Sequence, residues 1–166
     1  MAVSNGDKIP SVTLKTLSSD GVIDINVAEY FSDKKIVVFS VPGAFTPTCS
    51  AKHLPGFVEY SNDIISKGVD EIICISVNDP FVMNAWEKDQ NSKGKVTLLA
   101  DGNGELTEAL GLSFDGSGFG LGKRGKRFAM IVDRGFICHL AVEEKGSFSV
   151  SSAESILKAL DRKSVV

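Results

Sequence analysis

The segment Val41-Pro-Gly-Ala-Phe-Thr-Pro-Thr-Cys-Ser50 holds the side chains best placed for chemistry. It leaves an apolar run, Ile36 to Val41, makes a proline-rich turn, and enters a stretch with helical spacing. Cys49 therefore falls in a first helical turn, where backbone N–H groups lack partners and the helix dipole is positive. Both favour thiolate over thiol, and the thiolate is the nucleophile. Thr46, three residues earlier, can bring a hydroxyl to the sulfur. A hydroxyl donates and accepts, so it can hold a polar substrate while facing the thiolate. Pro42 and Pro47 stiffen the turn and remove two donors that would need partners. A free cysteine is more often a small buried hydrophobe. Position argues against that here, because ligands of open α/β sheets collect beyond the carboxyl ends of parallel strands.

His53 follows Cys49 by four residues and can share its helix face. A Cys–His pair can run acyl transfer, but cysteine hydrolases draw their histidine from elsewhere in the chain. The expectation for His53 is a structural hydrogen bond or a place on the helix surface. His139, in a predicted strand, is expected to pack or face solvent. Gly120-x-Gly122-x-x-Gly125 matches a dinucleotide fingerprint letter for letter. It precedes a strand instead of opening a helix, so the phosphate-binding mechanism is missing. Gly116 to Gly122 reads as a flexible loop bordering the site, with Phe119 and Leu121 lining an apolar entrance.

These residues need a scaffold, and 166 residues suit a single domain spanning 1–166. Apolar residues make up 43% and charged residues 23%, the composition of an ordinary folded protein. A net charge of −3 disfavours broad nucleic-acid binding. Cys49, Cys74 and Cys138 are too sparse for a disulfide scaffold and too scattered for a zinc site. No apolar run approaches the ~20 residues that span a bilayer. The opening Met-Ala-Val-Ser-Asn-Gly-Asp lacks the charged and apolar regions of a secretory signal, so a cytosolic protein is expected.

The elements follow from periodicity. Val12 to Leu17 and Val22 to Ile25 flank a Ser-Ser-Asp-Gly hairpin turn. Ile36 to Val41, Ile72 to Val77 and Val96 to Ala100 read as buried strands. A helix is predicted from Thr48 to Lys67, kinked by Pro55 and stopped by Gly68. Asn78-Asp79-Pro80 opens a second helix whose apolar face is Phe81, Val82, Ala85 and Trp86. Gly104 to Leu110 is a short helix. Arg127 to Val132 and Phe136 to Val142 form a hairpin around Asp133-Arg-Gly135. Ser151-x-x-Glu154 is a capping box for a last helix reaching about Arg162. Alternating strands and helices argue α/β. The expected architecture is a thioredoxin-like fold, a mixed central sheet flanked by helices with an N-terminal β-hairpin.

The string Pro42-x-x-x-Thr46-x-x-Cys49 resembles the active-site signature of peroxiredoxins. The longer Val41 to Ser50 string is similar to the type II, or atypical two-cysteine, subfamily in its plant-like form. The likeness continues through His53-Leu-Pro-Gly-Phe57, Ile75-Ser-Val-Asn-Asp-Pro-Phe81, Asn84-Ala-Trp86, Leu99-Ala-Asp101 and Arg127-Phe128. The resemblance implies a thiol-dependent peroxidase of hydrogen peroxide and alkyl hydroperoxides, needing no metal, haem or flavin. Cys49 would be the peroxidatic cysteine, shielded by Pro42, with Thr46 and Arg127 holding the peroxide oxygens. A guanidinium beside the sulfur favours the charged form and offers several donors. Lys123, Arg124 and Lys126 read as a solvated loop, with Arg124 a secondary support. The resemblance also implies a homodimer through the active-site edge, near Phe45, Phe81 and Trp86.

Peroxide oxidises a thiolate to a sulfenic acid, which a second thiol must reduce. Cys74 lies 25 residues after Cys49, the spacing of the second cysteine in plant-like members. It sits among Ile72, Ile73 and Ile75, where a thiol is poorly reactive. A disulfide also needs Cα atoms within ~7 Å, so the Cys49 helix start would have to unwind. The alternative reductant is an external thiol, glutathione with glutaredoxin or thioredoxin. Ser147 to Ser152, where vertebrate members place a resolver, has no cysteine, and Cys138 has no role in the motif. Two other classes stay open. One is a redox relay or holdase whose oxidation controls partner binding; the other, a thiol–disulfide oxidoreductase, is weakened by the missing C-x-x-C.

Overall fold

The computed structural model describes residues 2–164; Met1, Val165 and Val166, included in the single-domain reading, lie outside it. In chain order the strands are β1 (Thr13–Ser18), β2 (Gly21–Asn26), β3 (Lys35–Ser40), β4 (Glu71–Ser76), β5 (Thr97–Ala100), β6 (Ser113–Asp115), β7 (Lys123–Gly125), β8 (Phe128–Asp133) and β9 (Phe136–Val142). The helices are α1 (Val27–Phe31), α2 (Leu54–Glu59), α3 (Ser61–Ser66), α4 (Pro80–Gln90), α5 (Glu105–Leu110) and α6 (Ala153–Ser164). Seven strands form one sheet in the order β2-β1-β5-β4-β3-β8-β9. β3, β4 and β5 run parallel at its centre, and β1 and β8 join them antiparallel.

The central strands read as continuous apolar runs because both of their faces are covered. Side chains alternate between two cores. Val37 and Phe39 of β3, Ile72 and Cys74 of β4, and Ala129 and Ile131 of β8 enter one core, packed by Leu54, Phe57, Trp86 and Ile156. Ile36, Val38, Ile73, Ile75, Met130 and Val132 enter the other, packed by Val27, Phe31, Leu106 and Leu110. Cys74 thus points to the face that carries the helices after Cys49. Both hairpins form as expected. The second turns through Arg134 (φ 49°) and Gly135 (φ 87°), two left-handed residues that match the twist of paired strands.

Four expectations are revised. The predicted Thr48–Lys67 helix is three pieces: a wide π-helical turn at Cys49–His53, then α2, then α3 beyond a break at Tyr60. Leu54 N–H donates to the Cys49 carbonyl, five residues back. Pro55 then sits in the first turn of a fresh helix, where its missing N–H leaves nothing unsatisfied, so it starts α2 instead of kinking a longer helix. α4 begins as read, with Asp79 accepting from Val82 N–H at 2.8 Å. Its buried face, however, is Met83 and Trp86, while Phe81 and Ala85 point outward. The cap of α6 is Ser152, whose Oγ accepts from Ser155 N–H at 3.1 Å; Ser151 is buried and bonded elsewhere. Finally, the Gly116–Gly122 stretch is no plain loop. It closes a two-stranded ribbon of β6 and β7 through a short 3-10 turn at Ser117–Phe119. Among the described residues no helix is long and apolar enough to cross a membrane.

Candidate active site

Beyond β3 the chain leaves the sheet with Val41 N–H still bonded to the Ile75 carbonyl at 3.2 Å. The turn is then tied to the end of β4. Asn78 Oδ1 accepts from Ala44 N–H at 3.0 Å and from Ser76 Oγ at 2.6 Å. Arg124 Nη1 donates to the Pro42 carbonyl at 3.1 Å and its Nε to the Leu121 carbonyl at 2.9 Å. The guanidinium lies where a Cβ on Gly43 would sit, 2.6 Å from its Nη1, so a side chain there would displace it. Between these ties Phe45 is forced to φ 66° with half of its surface exposed. A left-handed bulky residue stores about 1–2 kcal/mol of strain, which surrounding contacts must hold.

Helical backbone starts at Pro47, and Cys49 lies in its first turn with no exposed surface. Two groups touch its sulfur: Thr46 Oγ1 at 2.8 Å and Arg127 Nη2 at 3.1 Å. Thr46 Oγ1 also lies 2.6 Å from the Gly43 carbonyl. The hydroxyl has one hydrogen for two acceptors. A thiol at Cys49 gives its own hydrogen to Thr46 and leaves the hydroxyl to Gly43. A thiolate takes the hydroxyl hydrogen, plus a charge-assisted bond from Arg127.

Arg127 is half-buried just before β8, and its other terminal nitrogen, Nη1, lies 2.8 Å from His53 Nδ1. His53 is fully buried, and its Nε2 is 2.9 Å from the Ser151 carbonyl. Burial, then the Arg127 charge, push the imidazole pKa from 6.5 down to about 3, so the ring is neutral. The expected structural hydrogen bond of His53 is there, but its partner is the arginine at the sulfur, which the sequence did not disclose. Behind Cys49, Ser50 Oγ accepts from Trp86 Nε1 at 2.9 Å, which fastens the turn to α4.

Of the residues expected from the sequence, Thr46 and Arg127 both reach the Cys49 sulfur, while Pro42 lies at the start of the same turn with its carbonyl held by Arg124. Cys74 stands outside that hydrogen-bonded group. It is fully buried in β4, opposite Phe39 of β3, and unpaired. Burial, reinforced by the nearby Cys49, pushes its thiol well above the usual range. Cys138 is partly buried on β9, 3.4 Å from the Ile131 carbonyl. Asn78, His53 and Glu143, which organises the loop carrying Ser151, were missed as site-builders. The partners of Asn78 and His53 lie 34 and 74 residues away, beyond any local pattern, and Glu143 binds Ser151 8 residues on through a loop that matches no turn or capping motif. Among the described residues no group of three His, Cys, Asp or Glu side chains is arranged to hold a metal.

The Redoxin family matches residues 4–157 of the chain. The chain is 50% identical over 163 residues to Peroxiredoxin-2E, chloroplastic, of Arabidopsis thaliana, covering 96% of itself and 70% of that relative. It is 48% identical over 159 residues to Peroxiredoxin-2B of the same plant, covering 95% of itself and 98% of that relative. Among solved structures, reduced Prx3 in complex with hydrogen peroxide from Vibrio vulnificus superposes with a TM-score of 0.92 at 48% identity, covering 95% of this chain and 99% of that one.

Proposed function

The chain belongs to the Redoxin family as a type II peroxiredoxin, a thiol-dependent peroxidase with a thioredoxin-like fold, and from that premise we propose that Cys49 is the attacking sulfur and that Thr46 and Arg127 hold the peroxide. The observation that carries this reading is the double contact on one buried sulfur, 2.8 Å from a hydroxyl and 3.1 Å from a guanidinium. The Cys49 thiolate attacks one peroxide oxygen, an S–O bond forms, and the O–O bond breaks. Sulfur loses two electrons to the peroxide, leaving a sulfenic acid. The departing oxygen takes a proton and leaves as water or an alcohol. Negative charge grows on that oxygen as the bond breaks, and preorganised donors aimed at it lower the barrier. Arg127 has donors to spare for this, and Thr46 can accept from the peroxide hydrogen while donating to the sulfur or oxygen. Pro42 offers no N–H and limits water at the turn. The capture of the Vibrio relative with hydrogen peroxide supports the same substrate here. The test is Cys49→Ser: peroxide consumption that survives the change defeats the assignment.

For recycling we propose an external thiol, glutathione with glutaredoxin or thioredoxin. The burial of Cys74 in a central strand and its raised pKa both oppose attack by that sulfur. Mass spectrometry after one equivalent of peroxide and glutathione should show a Cys49–glutathione adduct, and a Cys49–Cys74 disulfide would reverse the reading. A homodimer through the active-site edge is supported by Phe45, on the loop after β3, and Phe81, in the first turn of α4 after β4, both more than half exposed. Three unpaired thiols suit a reducing compartment such as the cytosol.

A further inference from the structure

We propose that His53 is a positioning residue: it orients the Arg127 guanidinium against the Cys49 sulfur, and the Ser149–Ser151 loop folded on Glu143 holds it in place. The proposal rests on the peroxidase reading above and extends it beyond the groups that touch sulfur. Both ring nitrogens of His53 are engaged, Nδ1 with Arg127 Nη1 at 2.8 Å and Nε2 with the Ser151 carbonyl at 2.9 Å. A guanidinium only donates, so Nδ1 must be bare. A carbonyl only accepts, so Nε2 must carry the hydrogen. The two partners admit one neutral tautomer and no other form. The ring cannot turn to another arrangement, because Phe39, Phe57 and Phe148 surround it at centroid distances of 4.8, 5.6 and 5.0 Å.

The guanidinium is a planar fork. One terminal nitrogen lies on His53 and the other on Cys49, so fixing the first fixes the second. The contacts then close into a ring that begins and ends on Arg127. The Arg127 carbonyl accepts from Glu143 N–H at 2.9 Å. Glu143 Oε2 accepts from Ser149 N–H, Ser151 N–H and Ser151 Oγ at 2.8, 2.8 and 2.7 Å. The Ser151 carbonyl holds His53, and His53 holds the Arg127 side chain. Phe148, on the same loop, lies edge-on to His53 and 5.9 Å from the Arg127 guanidinium carbon. The Ser147-Phe-Ser-Val-Ser-Ser152 segment, which carries no cysteine, thereby acquires a part in the site: it completes the socket of the arginine.

Two variants separate positioning from packing. His53→Asn keeps an acceptor near the place of Nδ1 and loses the reach to Ser151. His53→Leu fills the aromatic pocket with an apolar side chain and leaves Arg127 without its acceptor. The readout is the second-order rate of the reduced protein with hydrogen peroxide, followed by the fluorescence of Trp86, the one tryptophan, which hydrogen-bonds beside Cys49. Removing one preorganised donor costs ~10²–10³-fold, so loosening the arginine in His53→Leu should slow the reaction by about 10²-fold, with His53→Asn within about 10-fold of the unmodified chain. Unfolding midpoints are measured alongside, and His53→Leu should be no less stable than His53→Asn, so that activity and stability rank the variants differently. A His53→Leu rate near that of the unmodified chain, or an activity order that follows stability, overturns the proposal. Should either variant fail to fold, nitrogen-15 NMR of the unmodified reduced protein decides. Its His53 must be the Nε2–H tautomer at pH 7, and a protonated ring or an Nδ1–H tautomer overturns the proposal. Failure of the peroxidase reading is distinct: an unmodified chain that reacts no faster than Cys49→Ser loses the activity whatever the histidine shows.

Discussion

Cys49 and Cys74 sit on the same face of the sheet, in the same apolar core, and neither has exposed surface. Their surroundings differ in one respect. Cys74 is in mid-strand, where backbone donors are consumed by the neighbouring strands and every adjacent side chain is apolar. Burial there only penalises the charged form. Cys49 has left the sheet by one loop, and a hydroxyl and a guanidinium have come to its sulfur. The difference teaches that depth does not decide whether a thiol is chemical. The supply of donors does, and a strand end followed by a helical turn is where donors can be brought in without breaking a ladder.

The comparison can be broken most directly by Cys49→Ser. Loss of a catalytic nucleophile lowers turnover by at least ~10⁴-fold. Peroxide consumption with a thiol reductant measures it. Arg127→Met removes the charged donor while keeping much of the stem, and should lower the rate with peroxide by about 10²–10³-fold. Stopped-flow fluorescence of Trp86 reads the change. Thr46→Val keeps the shape and removes the hydroxyl, with an expected loss of about 10²-fold in the same assay.

The donor network carries its own signature in stability. The His53 pKa is about 3 in the folded chain against 6.5 unfolded, so the unfolded chain binds a proton first as pH falls. Stability is therefore complete above pH 6.5 and declines below it toward pH 3, by about 1.4 kcal/mol per pH unit for one proton. Arg127 and Glu143 face the ring. The arginine keeps its charge throughout. For Glu143, burial pushes the pKa up, but the Ser151 and Ser149 hydrogen bonds outweigh it and leave it below 4.5. Of the groups facing the ring, only the histidine acts between pH 6.5 and 4.5. Glu87 and Asp101, whose carboxyl pKa values burial raises, act in the opposite sense elsewhere in the fold, so His53→Asn should flatten the histidine's part of the fall in the urea midpoint there. The smallest effect is expected at the other sulfur. Cys74→Ala should cost about 1–2 kcal/mol of packing and leave the rate with peroxide within about threefold. A large loss of rate would erase the contrast between the two cysteines.

Much of the frame was legible because its signals are local. The buried strands announce themselves as apolar runs, Asp79-Pro80 as a helix start, and Arg134-Gly135 as a hairpin turn. The position of Cys49 at the head of a helical segment needed only the order of residues. Readings failed where two local signals competed and packing chose between them. Ser151 and Ser152 can each cap α6; Glu143 takes the first, leaving the second to the helix. Phe81 and Met83 can each turn inward from α4, and only Met83 does, leaving Phe81 exposed. The helix after Cys49 divides because Pro55 cannot donate, and the π turn before it could not be read from periodicity.

Residue types and spacings within about ten positions were enough to place a nucleophile, a hydroxyl and a stiff turn together, because backbone geometry alone relates residues so close. How Arg127 reaches the sulfur, which tautomer His53 adopts, and what holds the arginine in place were decided only by the tertiary structure, although likeness to a known signature had already pointed to Arg127 and the apolar strand around Cys74 to a poorly reactive thiol. Arg127 is 78 residues from Cys49 and 74 from His53, and Ser151 is 98 from His53. Contacts over such separations follow from how β8 and the loop after β9 dock beside the Cys49 turn, and no local preference specifies that docking.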